Sequence, residues 1–192
     1  MGLVTVNSLF LNSMELKGGT IEAIRDSCML SALEKAVALF GPGQRFTIRD
    51  LNASDMAYTN NIFTETSHAT VNQWNAMAFG AFTVATATIL GIYGLKLGVV
   101  NDATIDFMPV TGVRIDVGGA RIAQWHIQCI DMMCSGASDS PVYALTGITK
   151  SPIIIAEDIT ATIYEYTRTA STVYTPVWLG IAVEKEGVTL KP

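Results

Sequence analysis

Between Thr66 and Leu95 the chain carries no Asp, Glu, Lys or Arg. A stretch of that length can hide its apolar side chains in only two media, hydrocarbon or protein. Ala76–Leu95 alone reaches the roughly 20 residues that a bilayer-spanning helix needs. Its residue types favour the other medium. Thr83, Thr86 and Thr88 sit in its middle together with Gly80, Gly91 and Gly94. The run from Phe82 to Leu90 is rich in β-branched residues, which prefer strands. The flanks also lack the Lys/Arg bias that orients a membrane span. The tract therefore reads as two buried strands, roughly 80–90 and 92–99, with its glycines as bends or points of close approach.

The rest of the composition sharpens this reading. Hydrophobic residues make up 49% of the chain and charged residues 15%, against about 25% charged in an average soluble domain. One domain of 192 residues does not hide that much apolar surface in its own core, so contact with further copies is expected. The net charge is -5 and no basic stripe is present, which argues against nucleic-acid recognition. Cys28, Cys129 and Cys134 form no disulfide framework, and two isolated histidines, His68 and His126, cannot complete a zinc site. Met1–Val6 shows no positive n-region, so these residues are not expected to act as a signal peptide.

Residues 20–40 are the clearest helix. Thr20 is a candidate N-cap after Gly18-Gly19, and Ile21, Ile24, Cys28, Ala32, Val37 and Phe40 recur at helical spacing. Gly41-Pro42-Gly43 stops it. This gives an N-terminal arm, 1–44, ahead of a sandwich domain, 45–192. Arg45–Arg49 alternates as a strand, and 50–75 reads as a loop with one short helical turn after Ser54. The best local signal is a hairpin. Val113, Ile115 and Val117 alternate with Arg114 and Asp116, Gly118-Gly119 turns the chain, and Ala123, Trp125, Ile127 and Cys129 alternate with Gln124, His126 and Gln128. Short strands at 142–148, 159–166 and 173–184 complete the count, with Pro152–Ile155 leading into Glu157-Asp158. Val177, Leu179, Ile181 and Val183 share one face of the last, and Pro176 suggests an edge or a bulge there. Many strands and one early helix indicate a mainly β fold: an antiparallel β-sandwich or jelly roll with one N-terminal amphipathic helix.

Motifs for chemistry are missing. No phosphate loop, zinc-protease signature or nucleophile elbow occurs. Glu157-Asp158 reads as a solvated turn before a strand rather than a catalytic pair, and Asn52-Ala53-Ser54 is a formal glycosylation sequon. The chain is expected to be no enzyme and to need no cofactor or metal.

The order of pieces over residues 105–185 resembles the single jelly-roll major capsid proteins of tailless icosahedral double-stranded DNA viruses of bacteria and archaea. Three pieces carry the likeness: the Val113–Trp125 hairpin through Gly118-Gly119, the Pro152–Asp158 approach to a strand, and the closing Val177–Val183 strand. The resemblance implies a structural subunit that assembles side by side with copies of itself and other coat proteins, over an internal viral membrane or the genome. It also implies residence in a virion assembled in the host cytoplasm, without sequence-specific nucleic-acid binding. Arg114, Asp116, Arg121, Gln124, His126 and Gln128 form the polar hairpin face expected to make subunit contacts. Two other readings of the chain are a β-sandwich binding or adhesion module and a membrane-anchored protein using residues 76–95.

Overall fold

The computed structural model describes residues 18–59, 62–98, 109–126, 131–135 and 142–187. Helix α1 (Gly18–Phe40) leads into ten strands: β1 (Phe46–Asp50), β2 (Glu65–Thr66), β3 (Trp74–Thr83), β4 (Thr88–Gly98), β5 (Val110–Val117), β6 (Ala120–His126), β7 (Asp131–Ser135), β8 (Val142–Ile155), β9 (Thr160–Thr167) and β10 (Val173–Lys185). They form two antiparallel sheets, β1-β10-β4-β8-β7 with β2 attached to β10, and β3-β9-β5-β6. The pairings nest: β1 with β10, β3 with β9, β4 with β8, and β5 with β6. Successive nested pairs alternate between the sheets until the closing hairpin. This is the strand order of a jelly roll, a long hairpin wrapped on itself.

Three layers result. Leu90, Ile92, Val113, Ile115, Ile163, Tyr174 and Trp178 fill the space between the sheets. On the outer side of the larger sheet, Cys28, Ala32 and Ala36 of α1 pack on Ile89, Tyr93, Ile148, Ile181 and Val183. The larger sheet is therefore covered on both faces, which explains why β4 is buried along nearly its whole length and why its sequence avoids charge. Residues 76–95 are two strands in different sheets, and among the described residues no helix is long and apolar enough to cross a membrane. The sandwich, with one α-helix among the described residues, is as the sequence implies, and the helix packs on its own domain.

Several details differ from the sequence reading. The bend in the uncharged tract falls at Ala85–Ala87, not near Gly91, so the strands are 74–83 and 88–98. Ala87 adopts φ 61°, and the turn is held from a distance. Glu157 Oε2 accepts the Ala87 N–H at 2.6 Å, and the Asp158 N–H donates to the Val84 carbonyl at 3.0 Å. Val37 faces outward and is 38% exposed, because Ala36 takes the inward position. In β10, Val177, Leu179, Ile181 and Val183 do share a face, but Leu179, Ile181 and Val183 pack in the layer beneath α1; Tyr174, Trp178 and Ala182 fill the sandwich core. The strand expected at 142–148 runs on through Pro152 to Ile155. Pro176 pairs with Leu97, in a stretch where β1, which begins pairing at Ile181, is absent from the other flank.

A bulge at Tyr93 explains the change of inward parity along β4. Against β10, Gly94 pairs with Leu179 and Ile92 with Gly180, which leaves Tyr93 as the extra residue, while on the other flank residues 149–152 of β8 stand unpaired opposite it. One inserted residue exchanges the faces of a strand, so Leu90 and Ile92 point into the core before it and Leu95 and Leu97 after it. The Thr149 hydroxyl donates to the Tyr93 carbonyl at 3.0 Å and satisfies part of the interrupted ladder.

Candidate interaction face

The hairpin reading places its residues well. Gly118 and Gly119 take φ 57° and 82°, the positive pair that a tight hairpin turn requires. Register sets Arg114 opposite Gln124 and Asp116 opposite Arg121, with Ile122 bulged out between. Ile122 is 49% exposed for that reason. His126 stands opposite Gly112 in the backbone ladder. Gln128, with Ile127 and Cys129, lies outside the described residues.

β9, the neighbour of β5 on its other side, completes the face. Arg114 pairs with Tyr164 and Asp116 with Thr162. The Arg114 guanidinium lies 4.0 Å from the centre of the Tyr164 ring and 5.4 Å from that of Trp74, within range of a cation–π attraction. Its Nε stands 3.0 Å from Asp116 Oδ1, an ion-pair contact off the line of a hydrogen bond. Trp74 packs edge-on against Tyr166 at 5.5 Å, and the Tyr166 hydroxyl donates to the Asn72 carbonyl. The outer face of the smaller sheet is thus a row of Trp, Tyr and Arg flanked by exposed Arg121. Sequence reasoning missed Trp74, Tyr164 and Tyr166. Trp74 fell in a segment read as loop, and the alternation of β9 alone does not say which strand lies beside it.

Beneath this row the inward residues are polar. Asn75, Glu165 and Thr167 alternate with Trp74, Tyr164 and Tyr166 and are buried. Glu165 accepts from the His68 N–H, from the Thr167 hydroxyl at 2.8 Å and from the Tyr174 hydroxyl. Asn75 Nδ2 donates to the Thr167 hydroxyl oxygen and to the Thr70 carbonyl. Glu65, 1% exposed, accepts the Phe79 N–H at 3.0 Å. Burial, with the charge of Glu165 adding to it, pushes the Glu65 carboxyl up to about 6. These bonds tie the 67–72 and 167–172 turns to the sheet, so the aromatic row stands on a cross-linked base.

Among the described residues no group of three His, Cys, Asp or Glu side chains could hold a metal. Cys28 is fully buried and burial pushes its thiol up to about 12, which leaves it unreactive. Glu157 and Asp158 serve the Ala85–Ala87 turn, as a solvated turn pair would. Asn52 caps the short helical turn Ala53–Met56, its side chain accepting from the Asp55 N–H. An apolar cleft of about 270 Å³ opens between the Ile122 bulge and Thr149–Ile154 of β8.

No family model matches the chain, and no curated protein matches it in sequence.

Proposed function

We propose that the chain is a structural subunit of a viral capsid, self-assembling through jelly-roll contacts that include the outer face of the β3-β9-β5-β6 sheet. The observation that carries this reading is the row Trp74–Tyr166 and Arg114–Tyr164 displayed on that sheet. Trp, Tyr and Arg are the residues most enriched where protein interfaces derive their energy, whereas charged residues other than Arg are depleted there. A jelly roll by itself decides nothing, since the fold also serves lectins and cupins. The low charge of the chain and the lack of a metal-holding group among the described residues favour assembly.

The test is charge reversal at Arg121, which is exposed at the margin of the row. Purified wild type is expected to form large particles by light scattering and negative-stain microscopy. Arg121→Glu is expected to lose them while keeping the thermal melt of the subunit. Unchanged particle formation by Arg121→Glu would overturn the role of this face, and a wild type that never grows beyond small oligomers would overturn the shell. A binding or adhesion module is favoured by the same aromatics only if the isolated subunit takes up a sugar or peptide that Trp74→Ala abolishes.

A further inference from the structure

Glu65 on β2 and Glu165 on β9 are both enclosed, each 1% exposed. The ionisable groups that face Glu65 are Tyr58, Glu165 and Tyr174, and none of them is a cation. His68 is exposed, with its Nδ1 accepting the Thr70 N–H. Glu65 Oε2 and the Tyr58 hydroxyl are buried without a hydrogen-bond partner among the described residues. The two carboxyls fasten one segment at two points. Residues 65–72 run from the larger sheet, where β2 pairs with Val173 and Tyr174 of β10, to the start of β3 in the smaller one. Glu65 reaches the Phe79 N–H, in a stretch of β3 that has left its register with β9. Glu165 reaches from β9 to the His68 N–H. Tyr174 lies between them, its backbone paired with Glu65 and its hydroxyl donating to Glu165.

We infer that residues 65–72 are a proton-controlled strap, closed while Glu65 carries a proton and opening locally, with both sheets intact, when Glu65 loses that proton to solvent. A protonated Glu65 still accepts the Phe79 N–H through its carbonyl oxygen and keeps the second oxygen neutral beside Tyr58. An ionised Glu65 sets a second negative charge near Glu165 in an enclosed space with no cation facing it, where water screens little. Burial first, and then the charge of Glu165, raise the Glu65 carboxyl from 4.5 to about 6. A value raised in the closed form favours the protonated group, so the strap is held most firmly below about pH 4.5 and loosens as pH rises through about 6. Opening also removes two supports of the aromatic row, the Asn72 carbonyl that accepts from the Tyr166 hydroxyl and the Thr70 carbonyl that accepts from Asn75. The inference goes beyond the assembly reading and holds whatever that row meets.

Amide hydrogen exchange on the full chain, read by nuclear magnetic resonance and corrected for the intrinsic rate at each pH, tests the strap. The His68, Asn72 and Phe79 amides report its opening, and those of Leu90 and Leu95 in β4 report global unfolding. At pH 8 the strap amides are expected to exchange through an opening that low urea does not promote and that leaves β4 protected. The same opening should be at least about tenfold rarer at pH 4.5. Glu65→Gln keeps the shape of the protonated group and should hold the strap closed at pH 8. Glu165→Gln should do so in part, because it removes the smaller of the two causes. Strap amides that exchange only together with β4, or that open equally at both pH values, overturn the inference. So does a Glu65→Gln chain whose strap opens at pH 8 as in wild type. Should Glu65→Gln fail to fold, the wild-type comparison between the two pH values and Glu165→Gln decide the matter.

Discussion

Gly91 lies directly beneath Cys28: a β-carbon on Gly91 would stand 2.6 Å from the Cys28 sulfur. The helix therefore rests on the backbone of β4, and its distance from the sheet is set by the absence of one methyl group. Gly91→Ala must push α1 outward or twist Cys28 off its rotamer, at a cost of about 1–3 kcal/mol for overpacking. Urea unfolding should show that loss. Adding Cys28→Ala removes the opposing sulfur, so the double variant should be more stable than the sum of the two single changes predicts. Simple additivity would mean that the helix does not bear on Gly91.

Glu65 makes the domain's stability depend on pH with an unusual sign. Its carboxyl is raised from 4.5 to about 6, first by burial and then by the nearby charge of Glu165. A raised folded value favours the protonated form. The contribution is therefore fully present below about pH 4.5 and is lost as pH rises through about 6. The span is about 2 kcal/mol at 1.36 kcal/mol per unit. Glu65→Gln keeps the shape and removes the charge. Relative to wild type it should gain about that much at pH 8 and nothing at pH 4, read from urea midpoints across the range. A constant difference at both ends would show that Glu65 is ionised without penalty.

How far the sequence discloses this fold depends on where each constraint sits. Gly41-Pro42-Gly43 and Gly118-Gly119 encode their own stops and turns, so α1 and the β5–β6 hairpin are legible locally. The turn at Ala85–Ala87 is not, because its hydrogen-bond partners, Glu157 and Asp158, lie some 70 residues along the chain. The same limit hides half of the candidate face. Arg114 and Asp116 are visible on the alternating hairpin, whereas Trp74 and Tyr164 join them only once β3 and β9 pair beside β5 in the same sheet. In β4 the extra residue Tyr93, opposite the Leu179–Gly180 step of β10, exchanges the two faces midway, so no single alternation describes the strand.

Arg49 joins three segments through its planar fork. Its two terminal nitrogens each lie 2.7 Å from a different oxygen of Asp55, and one also meets Glu184. Those hydrogen bonds, led by Asp55, raise the guanidinium above its ordinary value, so it stays charged throughout. Lysine supplies one charged point in place of the fork. Arg49→Lys should therefore keep only part of the stability, and Arg49→Met should lose about 3 kcal/mol by leaving Asp55 and Glu184 buried without their cation. Because Asp55 and Glu184 are nearly enclosed, at 6% and 9% exposure, 0.5 M salt should change these losses little. Losses that vanish in salt would place the three groups in solvent instead.

The Gly118-Gly119 turn offers a stabilising change that also tests the hairpin on which the candidate face is built. Gly118, at φ 57°, occupies the left-handed region that asparagine tolerates, and a β-carbon there meets nothing within 4 Å. Gly118→Asn recreates the Asn-Gly pair preferred in such turns and restricts the unfolded chain more than glycine does. A gain of about 0.4–1 kcal/mol is expected, seen as a higher thermal midpoint with the Arg114–Tyr164 face undisturbed. Gly119→Val should do the opposite, because its φ of 82° is closed to a β-branched side chain. If both substitutions prove neutral, the turn is not the tight two-residue reversal described, and the register that sets Arg114 opposite Gln124 and Asp116 opposite Arg121 falls with it.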